Sequence, residues 1–219
     1  MDDLNSTRRR PGRPRAADAV DTREVILRVA THLFARNGFD AVSVRAVAEA
    51  AGVDVATVHH HAGGKLGLYR ACFALVFEAE RRALEPVIAA AAANAGGDLL
   101  AELHRVLDAF VDFLEERPET TGLWLRRWLE PDRHAGIDEQ FSTPLYEQVQ
   151  QVLAAADKAG VLHEPQPHLA VRSLIWAVHA HAVTGLHGDV PVDSRFALRA
   201  FVHRWLDRMY GPAVTPRRR

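Results

Sequence analysis

Apolar residues recur every three or four positions along most of the chain, and no segment alternates apolar and polar residues as a half-buried strand does. From Ile26 to Phe34 this spacing predicts one helix, which is expected to end at Gly38. Asp21 and Glu24 have the spacing of a capping box, so this helix is predicted to begin near Asp21. The pattern as a whole predicts an all-α fold.

The segment from Ser43 to Lys65 predicts two short helices joined by a tight turn. Ser43 is a candidate N-cap for the first helix, Gly52 suits the left-handed conformation that ends it, and Asp54 is a candidate N-cap for the second. Two helices separated by such a turn are typical of a helix-turn-helix, which places its second helix in the major groove of DNA. Small helical domains also contain such helix pairs by chance, so a purely structural pair is the alternative.

The remaining chain predicts further helices, punctuated by glycine and proline. A long helix is expected to begin near Lys65 and either to end or to kink at Pro86, because proline lacks a backbone donor. Later helices are predicted over residues 99–114, 123–129, 140–159, 168–187 and 194–210. Residues 212–219 predict a disordered tail.

Composition narrows the class of protein. Of the 219 residues 48% are hydrophobic and 25% charged, as in a soluble globular protein. No apolar run is long enough to span a membrane and the first residues lack a signal peptide, so we expect the cytoplasm and no membrane partner. The single cysteine, Cys72, lies among Leu68, Phe73 and Val76 and is therefore expected to be a buried structural thiol.

The net charge of −1 conceals an asymmetry, because residues 1–70 carry +3 and the remaining residues carry −4. Residues 1–20 have little apolar content and predict a disordered basic arm. Within the arm, Gly12-Arg13-Pro14 resembles the core of an AT-hook, so Arg13 is a candidate contact to the minor groove. A solvated tail that binds phosphates without order is the alternative.

Residues 22–69 resemble the DNA-binding region of the tetracycline-repressor (TetR) family of bacterial regulators. The resemblance rests on Phe34, Gly38, Ala48, Gly52, Val53, Thr57, Lys65 and Leu68, which occur in the family's order. It implies a three-helix DNA-binding domain over residues 21–66. It also implies a long helix that leads into a helical effector-binding and dimerisation domain over residues 67–211. Such a regulator would bind a pseudo-palindromic operator as a homodimer, usually as a repressor, until a small molecule releases it.

The resemblance also implies which residues meet double-stranded DNA. Phosphate contacts are expected from Thr57, His59 and Lys65, and base contacts from Arg45, Val55, Ala56 and His60. Arg45 is the strongest candidate for guanine, because its planar guanidinium can bond O6 and N7 together. The chain departs from the family pattern at His59, Ala62 and the Gly63-Gly64 pair, where a tyrosine, a large apolar residue and a less flexible pair are usual.

Aromatic residues in the C-terminal half are candidates for an effector pocket. Trp124 and Trp128 are four residues apart and share a helix face, and Phe110, Phe113 and Trp176 could complete an apolar pocket with them. An ordinary core or a dimer seam would use the same residues.

The last two helices are candidates for a homodimer interface. Their apolar stripes could form a four-helix seam with a second copy, although part of each stripe must face the subunit's own core. The candidate residues are Leu174, Ile175, Val178 and Ala182 on one helix and Phe201 and Trp205 on the next.

Twelve histidines suggest a metal site, but their spacing argues against one. His179 and His181 lie two apart, and no pair has the i, i+4 spacing of two ligands on one helix. No cofactor, metal or catalytic residue is therefore predicted. A ligand-responsive transcriptional regulator is the favoured function, and an all-α ligand-binding protein or enzyme that no longer binds DNA is the alternative.

Overall fold

The computed structural model describes residues 16–94, 97–129, 136–185 and 192–211. These residues form ten helices and no strand, which confirms the all-α prediction. The helices are α1 (Ala16–Ala41), α2 (Val44–Ala51), α3 (Val55–Ala62), α4 (Lys65–Ala93), α5 (Leu99–Glu116), α6 (Pro118–Leu129), α7 (Ile137–Gln140), α8 (Ser142–Lys158), α9 (Pro167–Gly185) and α10 (Val192–Tyr210). The predicted AT-hook with Arg13 and the predicted tail over 212–219 lie outside the described residues.

The first helix begins earlier than its sequence pattern predicts. It starts at Ala16, so Asp21 lies inside α1 and the predicted capping box does not begin the helix. Alanine is the strongest helix former, and three of the five residues from Ala16 to Val20 are alanine, which favours this extension. Gly38 breaks α1 as predicted, because its φ of 80° and ψ of 171° are not helical.

Proline does not end the long helix. α4 continues through Pro86 to Ala93, although Pro86 cannot donate a backbone hydrogen bond. The helices predicted over 168–187 and 194–210 appear as α9 and α10 with bounds that differ by one or two residues. The segment predicted as one helix from Gln140 is divided, because Gln140 ends the short α7 and α8 begins at Ser142.

Two hydrophobic clusters fill the molecule. The N-terminal cluster is centred on the buried residues Ile26, Phe34, Val47 and Val58, as the apolar pattern predicts. It also takes in the first half of α4 and the α6 residues Leu123 and Trp124, so packing continues across the predicted domain boundary after residue 66. The second cluster joins the later part of α4 to α5, α8, α9 and α10. Both α4 and α6 therefore connect the two halves.

Cys72 is buried in the N-terminal cluster, as predicted for a structural thiol. Its sulfur lies 3.9 Å from the carbonyl oxygen of Leu27. Burial raises the pKa of the thiol to about 12, because the thiolate would lose its hydration. The thiol therefore stays protonated and contributes to packing.

The end of α1 is fixed to α6 by a close contact, which we call the α1–α6 junction and which consists of Ala35, Arg36, Gly122 and Arg126. The Arg126 Nε donates to the Ala35 carbonyl at 3.0 Å, and its Nη2 donates to the Arg36 carbonyl at 2.6 Å. These carbonyls lie just before the break at Gly38, where a helix leaves its last carbonyls without intrahelical partners. Arg126 therefore caps α1 with a side chain from α6.

Gly122 brings the two helices of the junction together. A Cβ at this position would lie 2.8 Å from the Ala35 carbonyl oxygen and 3.0 Å from the Ala35 Cβ. The first distance is shorter than any van der Waals contact, and the atom it meets is backbone. Only glycine therefore fits at position 122 without moving α6 away from α1.

We expect Gly122→Ala to lower the free energy of unfolding by about 1–3 kcal/mol, because the added methyl group overpacks the junction. Inside an unconstrained helix the same change would instead stabilise by about 1 kcal/mol. Leu129→Ala is the matched control, since Leu129 lies on the same helix with 74% of its surface exposed. Urea unfolding of both variants measures the effect, and a Gly122→Ala protein as stable as the wild type would contradict the close approach.

Candidate nucleic-acid interface and ligand cavities

Local hydrogen bonds fix the helix-turn-helix of α2 and α3. The Ser43 hydroxyl accepts the Ala46 N–H at 3.0 Å, and the Asp54 carboxylate accepts the Thr57 N–H at 2.6 Å. Gly52 closes α2 with a φ of 70°. The bond from the Thr57 N–H lowers the pKa of Asp54, because it favours the ionised carboxylate. All three predicted capping and turn residues act as the sequence indicates.

One face of α3 is anchored and the opposite face is open. Val58 is fully buried in the N-terminal cluster, and this contact fixes the rotation of α3 about its axis. Thr57 is half-buried. The exposed residues, together with one from α2, form what we call the recognition face, which consists of Arg45, Val55, Ala56, His59 and His60. Five of the predicted DNA contacts are therefore exposed, and the four on α3 share the face opposite Val58.

Lys65 makes an internal contact that its sequence position does not predict. Its ammonium donates to the Asp40 carbonyl at 3.1 Å and lies 4.4 Å from the centroid of the Phe39 ring. Phe39 and Asp40 follow the break at Gly38, so this cation–π contact and hydrogen bond tie the start of α4 to the end of α1. Lys65 thereby closes the three-helix unit.

Two glycines make the turn between α3 and α4. Gly63 and Gly64 have φ values of 68° and 111°, which residues with a Cβ rarely adopt. A Cβ at Gly64 would lie 3.8 Å from the His59 imidazole, so this predicted phosphate contact packs beside the turn. The glycine pair, which departs from the family pattern, is thus required by the backbone path.

Two adjoining cavities lie in the C-terminal half. The apolar cavity has a volume of about 80 Å³ and is lined by residues that include Leu84, Leu103, Val106, Phe110 and Leu206. The polar chamber has a volume of about 470 Å³ and is lined by residues that include Trp128, Asp138, Ser142, Gln150 and Trp176. Tyr146, Val171 and Ile175 line both, so they form the wall between the two spaces.

The five predicted effector residues do not form one site. Phe110 lines the apolar cavity, and Trp128 and Trp176 line the polar chamber. Phe113 and Trp124 line neither space, and both are buried in the hydrophobic clusters. Packing of α6 on α1 turns Trp124 towards Phe73, with ring centroids 4.8 Å apart. Although Trp124 and Trp128 share a helix face, Trp124 therefore lies in the hydrophobic core and Trp128 lines the polar chamber.

One buried carboxyl group near the chamber was not predicted from the sequence. Glu80 of α4 is 1% exposed, and neither of its side-chain oxygens has a hydrogen-bond partner. Burial raises its pKa to about 8, and the nearby Trp124 indole N–H, which has no other partner, opposes this shift. The sequence does indicate that this carboxyl group is buried, because Glu80 lies four residues after Val76 and four before Leu84, in the apolar stripe of α4.

Tyr146 and Asp138 were missed as well. The Tyr146 hydroxyl is buried without a partner, and burial, followed by the nearby Glu80 and Asp138 carboxyls, raises its pKa well above the ordinary value. Asp138 Oδ2 pairs with the buried Arg127 at 2.6 Å, whereas its Oδ1 has no partner. Burial raises the pKa of Asp138 although Arg127 opposes the shift. Asp138 and Tyr146 thus line the chamber with one unsatisfied polar atom each, and Glu80 lies near Tyr146 without lining the chamber.

A neutral histidine also packs against the wall of the chamber. His179 is buried, and its Nδ1 lies 3.0 Å from the Thr121 hydroxyl. Burial lowers its pKa to about 3, because no carboxylate compensates for the lost hydration of imidazolium. The His179 ring meets the Trp128 ring edge to face at 5.1 Å between centroids. His179 therefore orients Trp128 and adds no charge.

Part of the predicted dimer seam faces inward. Ile175 and Val178 are buried in the C-terminal cluster, while Leu174, Ala182 and Trp205 pack against it half-buried. Ile175 and Val178 therefore face the subunit's own core, because α5 and α8 cover that side of α9. Phe201, also predicted for the seam, is exposed on α10, and Leu169, Trp176 and Phe196 are further exposed apolar residues of these two helices.

Within the described ranges, no helix is both long enough and apolar enough to cross a membrane. The same part of the chain contains no group of three or more His, Cys, Asp or Glu side chains that could hold a metal ion.

A capped α2, a glycine turn and an exposed α3 on a three-helix core form a helix-turn-helix, a motif that places its second helix in the major groove of DNA. Residues 26–72 match the family model described as bacterial regulatory proteins of the tetR family. This match assigns residues 26–72 to the DNA-binding domain of the tetR family, and it supports a role in DNA-binding transcription regulation.

Solved structures agree with this assignment at the level of the fold. PfmR, a TetR-family transcriptional regulator from Thermus thermophilus, is 23% identical with a TM-score of 0.66, covering 84% of this chain and 97% of its own. A TetR-family regulator from Marinobacter aquaeolei is 19% identical with a TM-score of 0.63, covering 86% and 95%. A linker-substituted mutant of HlyIIR is 20% identical with a TM-score of 0.67, covering 90% and 100%. A comparison with curated proteins gives no match.

We expect Lys65→Met to separate the two roles of Lys65. Methionine keeps an apolar stem over Phe39 but removes the ammonium, so the protein should lose less than about 1 kcal/mol of stability. Affinity for random duplex DNA should fall, and the slope of log affinity against log salt should flatten by about one unit. Fluorescence anisotropy at several salt concentrations measures this slope, with Lys65→Arg as the control that keeps the charge. An unchanged slope for Lys65→Met would exclude a phosphate contact.

Proposed function

We propose that the protein is a repressor that binds a pseudo-palindromic operator as a homodimer and leaves it when a small molecule occupies the C-terminal cavities. The recognition face is the observation that carries this proposal. Its residues are exposed together, while the caps at Ser43 and Asp54 and the buried Val58 fix the backbone beneath them. A rigid face of this kind suits insertion into the major groove, because it loses little conformational entropy on binding.

Each residue of the recognition face has a role that its chemistry supports. Arg45 would bond guanine, and His60 would donate to or accept from a base edge. Val55 and Ala56 offer only methyl groups, so they would contact thymine methyls. Thr57, His59 and Lys65 would bind phosphates and so set the position of α3, and Arg13 would reach the minor groove from the N-terminal arm.

The outer surface of α9 and α10 supports a homodimer. Phe196 and Phe201 are 74% and 53% exposed, and Leu169 and Trp176 are exposed on the neighbouring helix. Large apolar side chains clustered on a surface mark an interaction site. Pairing this surface with the same surface of a second copy would form a four-helix seam about a two-fold axis. The two α3 helices would then face two half-sites of an operator.

The α1–α6 junction supports a route from the cavities to DNA. Trp128 lines the polar chamber and lies two residues after Arg126, which caps the end of α1. A ligand that displaces the Trp128 ring would therefore move α6 and the N-terminal helices attached to it. Release follows if the ligand binds better to the displaced arrangement than to the DNA-bound one.

Specific DNA binding is tested by an electrophoretic shift assay on the segment upstream of the protein's own gene, with random duplex as competitor. We expect Arg45→Ala to lower specific affinity by about 1–3 kcal/mol, because one bidentate base contact is lost, and to leave random binding nearly unchanged. Arg82→Ala is the control, since it removes the same charge from an exposed position on α4.

Two outcomes would contradict these assignments. An equal loss of specific and random affinity in Arg45→Ala would mean that Arg45 does not read bases. If a library of random duplexes also yields no bound sequence, the protein is better explained as an all-α ligand-binding protein that no longer binds DNA.

We expect Phe201→Glu to convert the dimer to a monomer at micromolar concentration, because two buried carboxylates would meet near the two-fold axis. Leu129→Glu is the matched control, since Leu129 is an equally apolar exposed residue outside α9 and α10. Sedimentation velocity measures the oligomeric state. A wild type that sediments as a monomer, or a Phe201→Glu protein that stays dimeric, would reject this interface.

A further inference from the structure

We propose that this protein takes up protons when it binds DNA, through the three consecutive histidines of α3, so that its affinity for duplex DNA rises as pH falls from about 8 to 6. This coupling rests on the proposed function, which places α3 against DNA. It adds the proton as a second regulator of the same contact, independent of any small molecule in the C-terminal cavities.

The three histidines, His59, His60 and His61, occupy the last turn of α3. Successive residues of a helix lie about 100° apart around its axis. His60 is therefore nearly opposite the fully buried Val58, and His59 lies on the flank between them. His59 and His60 are exposed, and His61 is half-buried. One turn of the helix proposed to enter the major groove thus carries two imidazoles at its surface and a third at its edge.

The ring nitrogens of these histidines are available to groups outside the protein. Within the described ranges, none of the three has a hydrogen bond or an ion pair, and their one ring contact joins His60 to His61, with centroids 5.2 Å apart. Histidines of the C-terminal half differ, since the Nε2 of His203 lies 2.7 Å from a carboxylate oxygen of Asp108. A DNA phosphate that approaches α3 therefore meets imidazoles that give up no internal partner.

Histidine is the side chain whose charge changes between about pH 6 and 8, whereas carboxylates, lysine and arginine keep theirs. α1, α2 and α4 pack against α3. Between residues 29 and 66, the other charged or titratable side chains are His32, Arg36, Asp40, Arg45, Glu49, Asp54 and Lys65. Asp54 keeps its charge throughout, because the hydrogen bond from the Thr57 N–H lowers the pKa of its carboxyl. His32 is the one histidine among these seven, and its own variant separates it from the histidines of α3.

A DNA phosphate beside an imidazole favours the imidazolium form, because a nearby negative charge stabilises the charged state of a base. Duplex DNA carries one negative charge per about 1.7 Å of its axis, so a helix in the major groove lies close to several phosphates. The complex then binds more protons than the free protein. By linkage, the state that binds more protons is favoured as pH falls, so affinity for DNA rises in acid.

Repulsion within α3 limits the size of the effect. The His60 and His61 rings lie 5.2 Å apart between centroids, so a proton on one opposes a proton on the other, and the pair takes up about one proton. His59 adds at most about one more. If phosphate favours the protonated form of one imidazole about tenfold, affinity increases about fivefold for that imidazole between pH 8 and 6. A dimer with one such imidazole in each α3 then gains about 25-fold.

The test uses the full chain and a labelled random duplex, because phosphate contacts do not depend on base sequence. Fluorescence anisotropy at about pH 6, 7 and 8 and fixed salt measures the affinity, and repeating the series at several salt concentrations measures counterion release. We expect affinity to rise at least about fivefold from pH 8 to pH 6. The slope of log affinity against log salt should be steeper at pH 6, by about one unit for each imidazole protonated at a phosphate. An affinity that does not change with pH would overturn the proposal.

Variants of single histidines locate the protons. His59→Gln and His60→Gln should each lose part of the rise in affinity between pH 8 and 6, because glutamine stays neutral. His59→Lys supplies a fixed cation instead, so it should raise the affinity at about pH 8 towards the wild-type value at about pH 6. His32→Gln and His163→Gln are the controls and should keep the wild-type rise, and His163 lies in the C-terminal half with 86% of its side chain exposed. Thermal unfolding at both ends of the pH range confirms that each variant folds.

Proton uptake and the proposed function fail in distinguishable ways. A wild type that binds duplex DNA with a pH-independent affinity would contradict proton uptake alone and leave DNA binding supported. A rise that persists when all three histidines of α3 are replaced by glutamine, or that is lost in His32→Gln, would place the titrating group elsewhere and overturn the assignment. A rise without a steeper salt slope would exclude phosphate contacts as its cause. No binding of duplex DNA at any pH in the series would contradict the proposed function, and proton uptake with it.

Discussion

The contact between Arg126 and the last carbonyls of α1 is the interaction on which the rest of the structure depends. Helix α1 is broken at Gly38, and the Ala35 and Arg36 carbonyls just before the break accept hydrogen bonds from outside the helix. A guanidinium from α6 supplies both bonds, and Gly122 allows the two helices to approach closely enough. The DNA-binding unit is therefore attached to the helix that also forms a wall of the polar chamber.

Polar groups are treated differently in the two halves of the molecule. In the N-terminal half the caps at Ser43 and Asp54 and the Lys65 contact pair local donors with acceptors, which makes the recognition face rigid. Near the cavities, Glu80 and Tyr146 are buried without partners. Unsatisfied buried groups cost stability and are retained where function requires them. This contrast fits a molecule with one half built to hold its shape and the other to receive a ligand.

The parts of the fold that sequence predicts are those encoded by neighbouring residues. N-caps, the glycine at position 52 and the break at Gly38 act within one helical turn, so α2, α3 and their turn follow from local patterns. The cavities depend instead on which way each helix faces after packing. Trp124 and Trp128 share a helix face in sequence, yet α1 covers one while the chamber exposes the other. Ile175 faces inward for the same reason, and no local pattern shows it.

The central claim is that two α3 helices related by a two-fold axis read adjacent major grooves. Hydroxyl-radical footprinting of the protein on its upstream DNA tests this claim most directly. The account predicts two protected half-sites of inverted sequence, about 34–36 Å or one helical turn apart, on the same face of the duplex. A single protected segment, or two segments in direct repeat, would contradict it.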